Sequence, residues 1–398
     1  MDRYKIIRPS SNESFADALA SVLSCLTDYL AEEKAQGRDL VFVRFFLSDA
    51  QNQAPALRDA LEALALRPSN ARTGGPLRDS FRGPRKTAVF WGGQTGLPAW
   101  RGGYAIVEQP PLDGSRIAAL VWTSPDAAQY LFHSLRLTEE EAAGKTSYEQ
   151  SRLLFNKYLG IIKPLGLDLK THCIRTWIYV RDIDSNYAGL VKARNDVFAE
   201  EGLSHDTHYI ASTGIGGANE VRSSVVAIDF LTAPGIVEED KTYLKALSHL
   251  SPTHDYGVAF ERGVRVKDHV FISGTASIDH KGRILHEGDV LAQADRLLEN
   301  IGYLLDEGCL TGRDGVIRSG NAGTGLPLRD TDLPFARRGR QTGQAGIPYF
   351  IIYLRDIADY AKVDAYMQAR FPDTPRIILE ARVCRPGWLI EMECETSL

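Results

Sequence analysis

Hydrophobic and polar positions along this chain fall into one recurring pattern: an apolar strand, an Asp-containing turn, then an amphipathic helix. It reads LVFVRFFLSDAQNQAPALRDALEAL from Leu40, TWIYVRDIDSNYAGLVKARNDVF from Thr176 and YFIIYLRDIADYAKVDAYMQARF from Tyr349. The second and third copies share the turns Arg181-Asp182-Ile183 and Arg355-Asp356-Ile357. Asp at that place is expected to cap the coming helix. Tyr187, Leu190 and Val191 form an apolar stripe at helical spacing, as do Tyr360, Val363 and Met367. A longer amphipathic helix precedes each copy, over 14–35, 147–165 and 290–307, and β-rich segments such as SSVVAIDFL from Ser223 follow. Helix, strand, helix, strand, strand predicts an α+β fold of mixed sheets with helices packed on one face. Three such units imply an internal repeat in a pseudo-threefold arrangement.

Irregular stretches set the expected boundaries. A linker over 237–254 separates a region 1–236, itself divisible into 1–125 and 126–236, from a region 255–398. Residues 72–103 are rich in Gly, Arg and Pro and read as a loop. The 311–346 insertion carries eight glycines and six arginines without periodicity, which reads as a disordered excursion or a lid.

Composition narrows the function classes. A net charge of −5 across 398 residues argues against general affinity for nucleic acid or acidic membranes. Cys25, Cys173, Cys309, Cys384 and Cys394 show no CxxC spacing, so neither a disulfide framework nor a zinc knuckle is indicated. No apolar run approaches the length of a membrane span and no signal-peptide core opens the chain, so a soluble, cytoplasmic protein is expected. His205 and His208 lack an HExxH frame, and no metal is expected. The segment STGIGG around Thr213 lacks the Lys-Ser/Thr of a phosphate loop and reads as a tight turn lining a pocket. No GxSxG elbow appears.

The closing segment, TPRIILEARVCRPGWLIEMECE from Thr374, carries the chemistry. Glu391 lies between Ile390 and Met392, where ionisation is costly if the strand is half-buried. It is therefore either turned to solvent, with Glu393 and Glu395, or held near neutral for acid chemistry. Arg376, fifteen residues earlier on what reads as the partner strand, is placed to anchor an anionic substrate.

From Tyr256 onward the chain resembles the Rid (YjgF-like) superfamily, through FISGTASID, the helix QADRLLENIGYLL, the turn YLRDIADY, and Arg376 and Glu391. Over nearly its full length it resembles the chorismatases, which join a divergent N-terminal region to a Rid-like C-terminal domain. RTWIYVRDIDSNYAGLVKARNDVF, THYIASTGIGG, SPTHDYGVAFERG, ISGTASID and VCRPGWLIEMEC carry that likeness in order. The resemblance implies cleavage of the enol ether of chorismate, releasing pyruvate without metal or organic cofactor. It places the catalytic acid on Glu391 and a substrate-holding arginine on Arg376, with Arg194 the next choice. Tyr187, Thr213, Tyr256, Thr275 and Ala276 are expected as further substrate contacts. Cys384, seven residues before Glu391, points to the 3-hydroxybenzoate-forming branch rather than the dihydroxycyclohexadienoate branch.

Two other functions stay open on the sequence: Rid-type hydrolysis of imines and enamines, and ligand binding without catalysis. Rid subunits form trimers with sites between protomers. Three units in one chain satisfy that geometry internally, so a monomer without protein partners is expected.

Overall fold

Three sheets, built alike, hold the strands. The computed structural model describes residues 1–10, 14–65, 103–310 and 347–397. The 311–346 insertion and nearly all of the 72–103 loop lie outside them. The first unit runs β1 (Arg3–Ile7), α1 (Phe15–Ala35), β2 (Asp39–Leu47), α2 (Ala50–Ala65), β3 (Gly103–Glu108) and β4 (Ile117–Ser124), in the sheet order β1-β4-β2-β3. The second runs β5 (Leu131–Leu135), α3 (Ser147–Ile162), β6 (Cys173–Val180), α4 (Ile183–Glu200), β7 (Ala211–Gly216) and β8 (Val226–Thr232), ordered β5-β8-β6-β7. The third opens with β9 (Lys241–Leu244) and β10 (Gly263–Val266). It continues with β11 (His269–Ala276), α5 (Val290–Leu310), β12 (Phe350–Leu354), α6 (Tyr360–Arg370), β13 (Arg376–Glu380) and β14 (Ile390–Ser397). Its order, β13-β12-β14-β11-β10-β9, repeats the four-strand plan and adds two strands at the β11 edge. In each unit the third strand pairs in parallel with the strand before it, and the other pairs are antiparallel.

The repeat thus extends to all three copies, and each has a leading strand that the apolar pattern did not reveal. The stretch read as a linker contributes β9 to the third sheet.

Alternation along the strands decides what faces what. On β2, Phe42 and Phe46 enter a core shared by all three units, alongside Trp122, Trp177, Phe271 and Tyr353. Val43, Phe45 and Leu47 instead meet the apolar stripes of α1 and α2, including Val22, Leu26 and Leu57. On β6, Trp177 and Tyr179 point to the shared core, while Ile178 and Val180 pack with Leu190, Val197 and Phe155 of the helices. Sheets therefore face one another and helices lie outside. Isolated bridges join the units pairwise, Glu108 to Ala218, Ile215 to Val383 and Pro111 to Leu379, closing a pseudo-threefold ring.

The Asp of the repeated turn behaves differently in each copy. Asp49 Oδ1 accepts the Asn52 N–H at 3.3 Å, capping α2. Asp356 Oδ1 accepts the Ala358 N–H at 2.9 Å, capping a short 3-10 turn (Ile357–Asp359) ahead of α6. Asp182 does not cap α4. Its backbone is left-handed, φ 47, outside the extended region from which a cap side chain reaches the helix N–H groups. Among the described residues no helix is long and apolar enough to cross a membrane.

Candidate active site

β14 lies inside its sheet between β12 and β11, so its alternate residues are covered on both sides. Glu391 stands in register with Tyr353 on β12 and Ala276 on β11. Ile390, Met392 and Cys394 enter the apolar core. Glu391, Glu393 and Glu395 share the opposite face and are only 4%, 2% and 3% exposed. The acidic edge open to solvent is thereby ruled out.

These three carboxyl groups meet unlike surroundings. Glu395 accepts the Tyr4 hydroxyl at 2.9 Å and lies 3.4 Å from His269 Nε2. Glu393 accepts Arg175 Nη2 at 2.8 Å, Trp177 Nε1 at 3.0 Å and the Tyr353 hydroxyl at 3.1 Å, together with the Thr213 hydroxyl. Arg44 Nη1 adds an ion pair at 3.6 Å. Glu391 makes no hydrogen bond among the described residues. Burial foremost, and then the charge of Glu393, push its carboxyl up to about 8, against the opposing pull of Arg175 and Arg262. It therefore holds its proton at neutral pH.

Glycine makes room for that side chain. A Cβ on Gly274 of β11 would collide with Glu391 Oε1 and stand 3.0 Å from Thr213 Cγ2. The neighbouring loop from β13 to β14 brings in Cys384. It is pinned to the second unit where Gly216 N–H donates to Arg382 O at 2.8 Å and Ile215 bridges Val383. Asp184 at the start of α4 holds Arg355 and Arg382 at 3.0 and 3.1 Å, and Arg355 also donates to Val383 O. Tyr187, one turn further along α4, lies close enough to Cys384 for each group to influence the other's titration. Burial and the nearby Glu391 push the Cys384 thiol up to about 12, so it remains a thiol. Burial, followed by Cys384, raises the Tyr187 hydroxyl well above its ordinary range.

Arg194 lies on the buried stripe of α4 rather than on its wet face, at 1% exposure. Its Nε and Nη2 have no hydrogen-bond partner, and its guanidinium carbon sits 5.8 Å from the Phe260 ring centroid. It exerts its charge on both Tyr187 and Cys384. A buried guanidinium left unpaired is costly and is suited to an incoming anion.

Glu391, Cys384, Tyr187, Arg194, Thr213 and Ala276 are thus brought together at the seam between the second and third units. Thr213 sits on β7 and not in a turn, because STGIG continues the parallel ladder with β6. Its hydroxyl accepts Arg175 Nη2 at 2.6 Å and the Gly274 N–H at 2.9 Å. Thr275 is not with them: it pairs with Met392, so strand alternation turns it to the other face, where its hydroxyl donates to Ser273 O at 2.9 Å. The Tyr256 side chain lies outside the described residues.

Arg376 is not with them either. β12 intervenes between β13 and β14, and Leu379, not Arg376, occupies the row of Tyr353 and Glu391. Arg376 instead binds Asp364 at 2.8 Å and Gln368 at 2.9 Å beside a surface cleft of about 440 Å³. The sequence reading missed Arg175, Arg262, Glu393 and Gly274. Arg175 and Glu393 carry one usable signal, a charged residue alternating with apolar ones inside a strand of high β-propensity.

The other seams lack the acid. Aligning the strands by the turns that follow them, Tyr353, Tyr179 and Phe46 correspond, and their register partners are Glu391, Ala227 and Ala118. Among the described residues no group of three or more His, Cys, Asp or Glu side chains is placed to hold a metal.

No family model matches the chain, and no curated protein matches it. Among solved structures it is similar to a chorismatase, with a TM-score of 0.60 at 18% identity, covering 100% of this chain and 98% of that one. RidA from an Antarctic Psychrobacter is 19% identical and covers 39% of this chain and 99% of its own, with a TM-score of 0.26. A YjgF-family protein from Mycobacterium tuberculosis is 18% identical, covering 40% and 99%, with a TM-score of 0.26. The chain therefore has the fold of that chorismatase, an α+β architecture of mixed sheets with helices packed on one face.

Proposed function

We propose that this protein is a chorismatase: it cleaves the enol ether of chorismate, releasing pyruvate and forming 3-hydroxybenzoate. One observation carries the reading. A carboxylic acid that keeps its proton at neutral pH and a buried arginine with unsatisfied N–H donors both act on the same thiol, Cys384.

The reaction asks for both. Glu391 gives its proton to the methylene carbon of the enolpyruvyl group, and the double-bond electrons form the new C–H bond. The ether carbon becomes an oxocarbenium ion, with negative charge left on Glu391. Arg194 holds a substrate carboxylate through its free N–H groups, and Arg262 supplies a second positive charge near Glu391. An oxygen nucleophile adds to the cation and its proton returns to Glu391; the bond between that carbon and the ether oxygen then breaks, so that pyruvate leaves and the ring keeps the ether oxygen. If water adds, the ring product is the diene diol and one water is consumed. If a ring hydroxyl of the substrate adds, no water is consumed: that hydroxyl's own ring C–O bond breaks as the ring carbon bearing the ether oxygen loses its proton, the ring becomes aromatic, and pyruvate and 3-hydroxybenzoate together hold all the atoms of chorismate. Cys384, a neutral thiol near Tyr187, presents a weakly hydrogen-bonding wall that disfavours an ordered water, which supports the second course.

Incubation with chorismate, coupled detection of pyruvate and chromatography of the ring product test this. Pyruvate with 3-hydroxybenzoate is the expected result. Pyruvate with the diol would keep the cleavage and overturn the role given to Cys384, and absence of pyruvate would sink the function.

A further inference from the structure

The acid assigned to Glu391 needs a reason to stay protonated while a second carboxyl group sits two residues away on the same buried face. We propose that Glu393 is the positioning residue for that acid: the shared interior of the three units fastens Glu393 as a carboxylate, and its fixed negative charge confines the proton to Glu391. This inference rests on Glu391 as the acid of the proposed reaction.

Donor inventory makes the two groups unequal. Trp177 Nε1 and the Tyr353 hydroxyl aim at one oxygen of Glu393, and Arg175 Nη2 and the Thr213 hydroxyl at the other. Trp177 Nε1 and Arg175 Nη2 can only donate, one to each oxygen, and Thr213, which already accepts Arg175 Nη2 and the Gly274 N–H, has only its proton left to offer. Arg44, fully buried on β2, stands 3.6 Å away, with its guanidinium carbon 4.3 Å from the Trp177 ring centroid. Arg44 also lies 3.8 Å from Asp229, which is held in turn by Arg136 at 2.9 Å and the Tyr179 hydroxyl at 3.1 Å. Residues from every unit therefore converge on Glu393. Around Glu391 the charged and titratable groups are Arg175, Arg262, Cys384, Tyr187, Tyr353 and Glu393, and none donates a hydrogen bond to it. Two like charges so close in a dry interior are unfavourable, and the group without donors is the one that stays neutral.

The test reads Glu391 directly and needs no substrate. The infrared spectrum of the wild type minus that of Glu391→Gln isolates the protonated carboxyl stretch of Glu391, and its loss is followed as pH rises. In Glu393→Gln the band should disappear at a pH lower by about one unit or more. Glu395→Gln, which alters the next carboxyl group on the same face, should leave the midpoint where it is. Should Glu393→Gln fail to fold, Trp177→Phe removes one donor from Glu393 and should move the midpoint in the same direction by less. An unchanged midpoint in the Glu393 variant, or in Trp177→Phe where it alone folds, overturns the proposal. A shift as large in Glu395→Gln would do so too, and so would a wild type with no protonated band at neutral pH. A protein that shows the predicted shift but releases no pyruvate keeps this inference and loses the chorismatase reading.

Discussion

The Glu391 seam and the Arg376 cleft each join arginine to carboxyl groups, yet they differ in what is left unsatisfied. At the cleft Arg376 is matched by Asp364 at 2.8 Å, Arg8 by Asp113 at 2.5 Å, and Arg8 also donates to Arg376 O. All of these groups touch solvent, so the pairs are closed and their worth is small. At the seam Arg194 is buried with two open donors, and among the described residues nothing donates a hydrogen bond to the buried Glu391. Such uncompensated polarity is where a ligand gains affinity and a carboxylic acid keeps its proton at neutral pH. An open surface cleft marks available space, whereas unsatisfied buried charge marks chemistry.

Glu391→Gln is the strongest test of that contrast. Pyruvate release from chorismate should fall by a factor of roughly 10² to 10⁴ with the fold intact, as measured by the coupled assay. The same substitution should change how stability varies with pH. The folded carboxyl titrates at about 8 and its ordinary value is 4.5. Within that window the unfolded chain has released a proton that the native state keeps, so Glu391 makes stability fall as pH rises. Chemical denaturation across the window should show this slope in the wild type and less of it in the variant.

Arg194→Met should raise KM for chorismate by roughly ten- to a hundredfold, the worth of a charge-assisted contact. Melting temperature should hold or rise, since an unpaired buried charge is removed. A marked drop in melting temperature would make Arg194 structural and weaken the contrast with Arg376.

Gly274→Ala probes the space rather than the charge. The added methyl must displace the Glu391 carboxyl or Thr213, at a cost of about 1–3 kcal/mol in unfolding free energy and about tenfold in kcat. Equal activity in the variant would show that the Glu391 rotamer is not critical. The smallest effect belongs to Arg376→Ala. Loss of its surface pair should cost under about 1 kcal/mol and leave kcat/KM unchanged. A large loss of kcat/KM would reinstate Arg376 and dissolve the comparison.

Much of this was legible in local pattern. The strand-turn-helix repeat could be read because side-chain alternation and helical spacing are properties of neighbouring residues. Glu391 could be read as unusual because its apolar neighbours made ionisation expensive on any half-buried strand. Arg376 misled because a strand followed by a turn and another strand reads as a hairpin, whereas β12 inserts between them. Thr275 and Ala276 adjoin in sequence, yet alternation sends only Ala276 to the face of Glu391. Arg194, in the charged run KARND, is buried because that side of α4 packs inward, which the run itself does not show.

By itself, then, the sequence determined the elements, their threefold repetition and a carboxyl group out of place on an apolar strand. Tertiary structure alone decided which seam holds Glu391, which arginine is buried with open donors, and which donors reach Glu393. The reason is physical. Periodicity is encoded between adjacent residues, but burial and the supply of donors depend on Arg44, Arg175, Thr213 and Tyr353, which meet only when strands from all three units close around one interior.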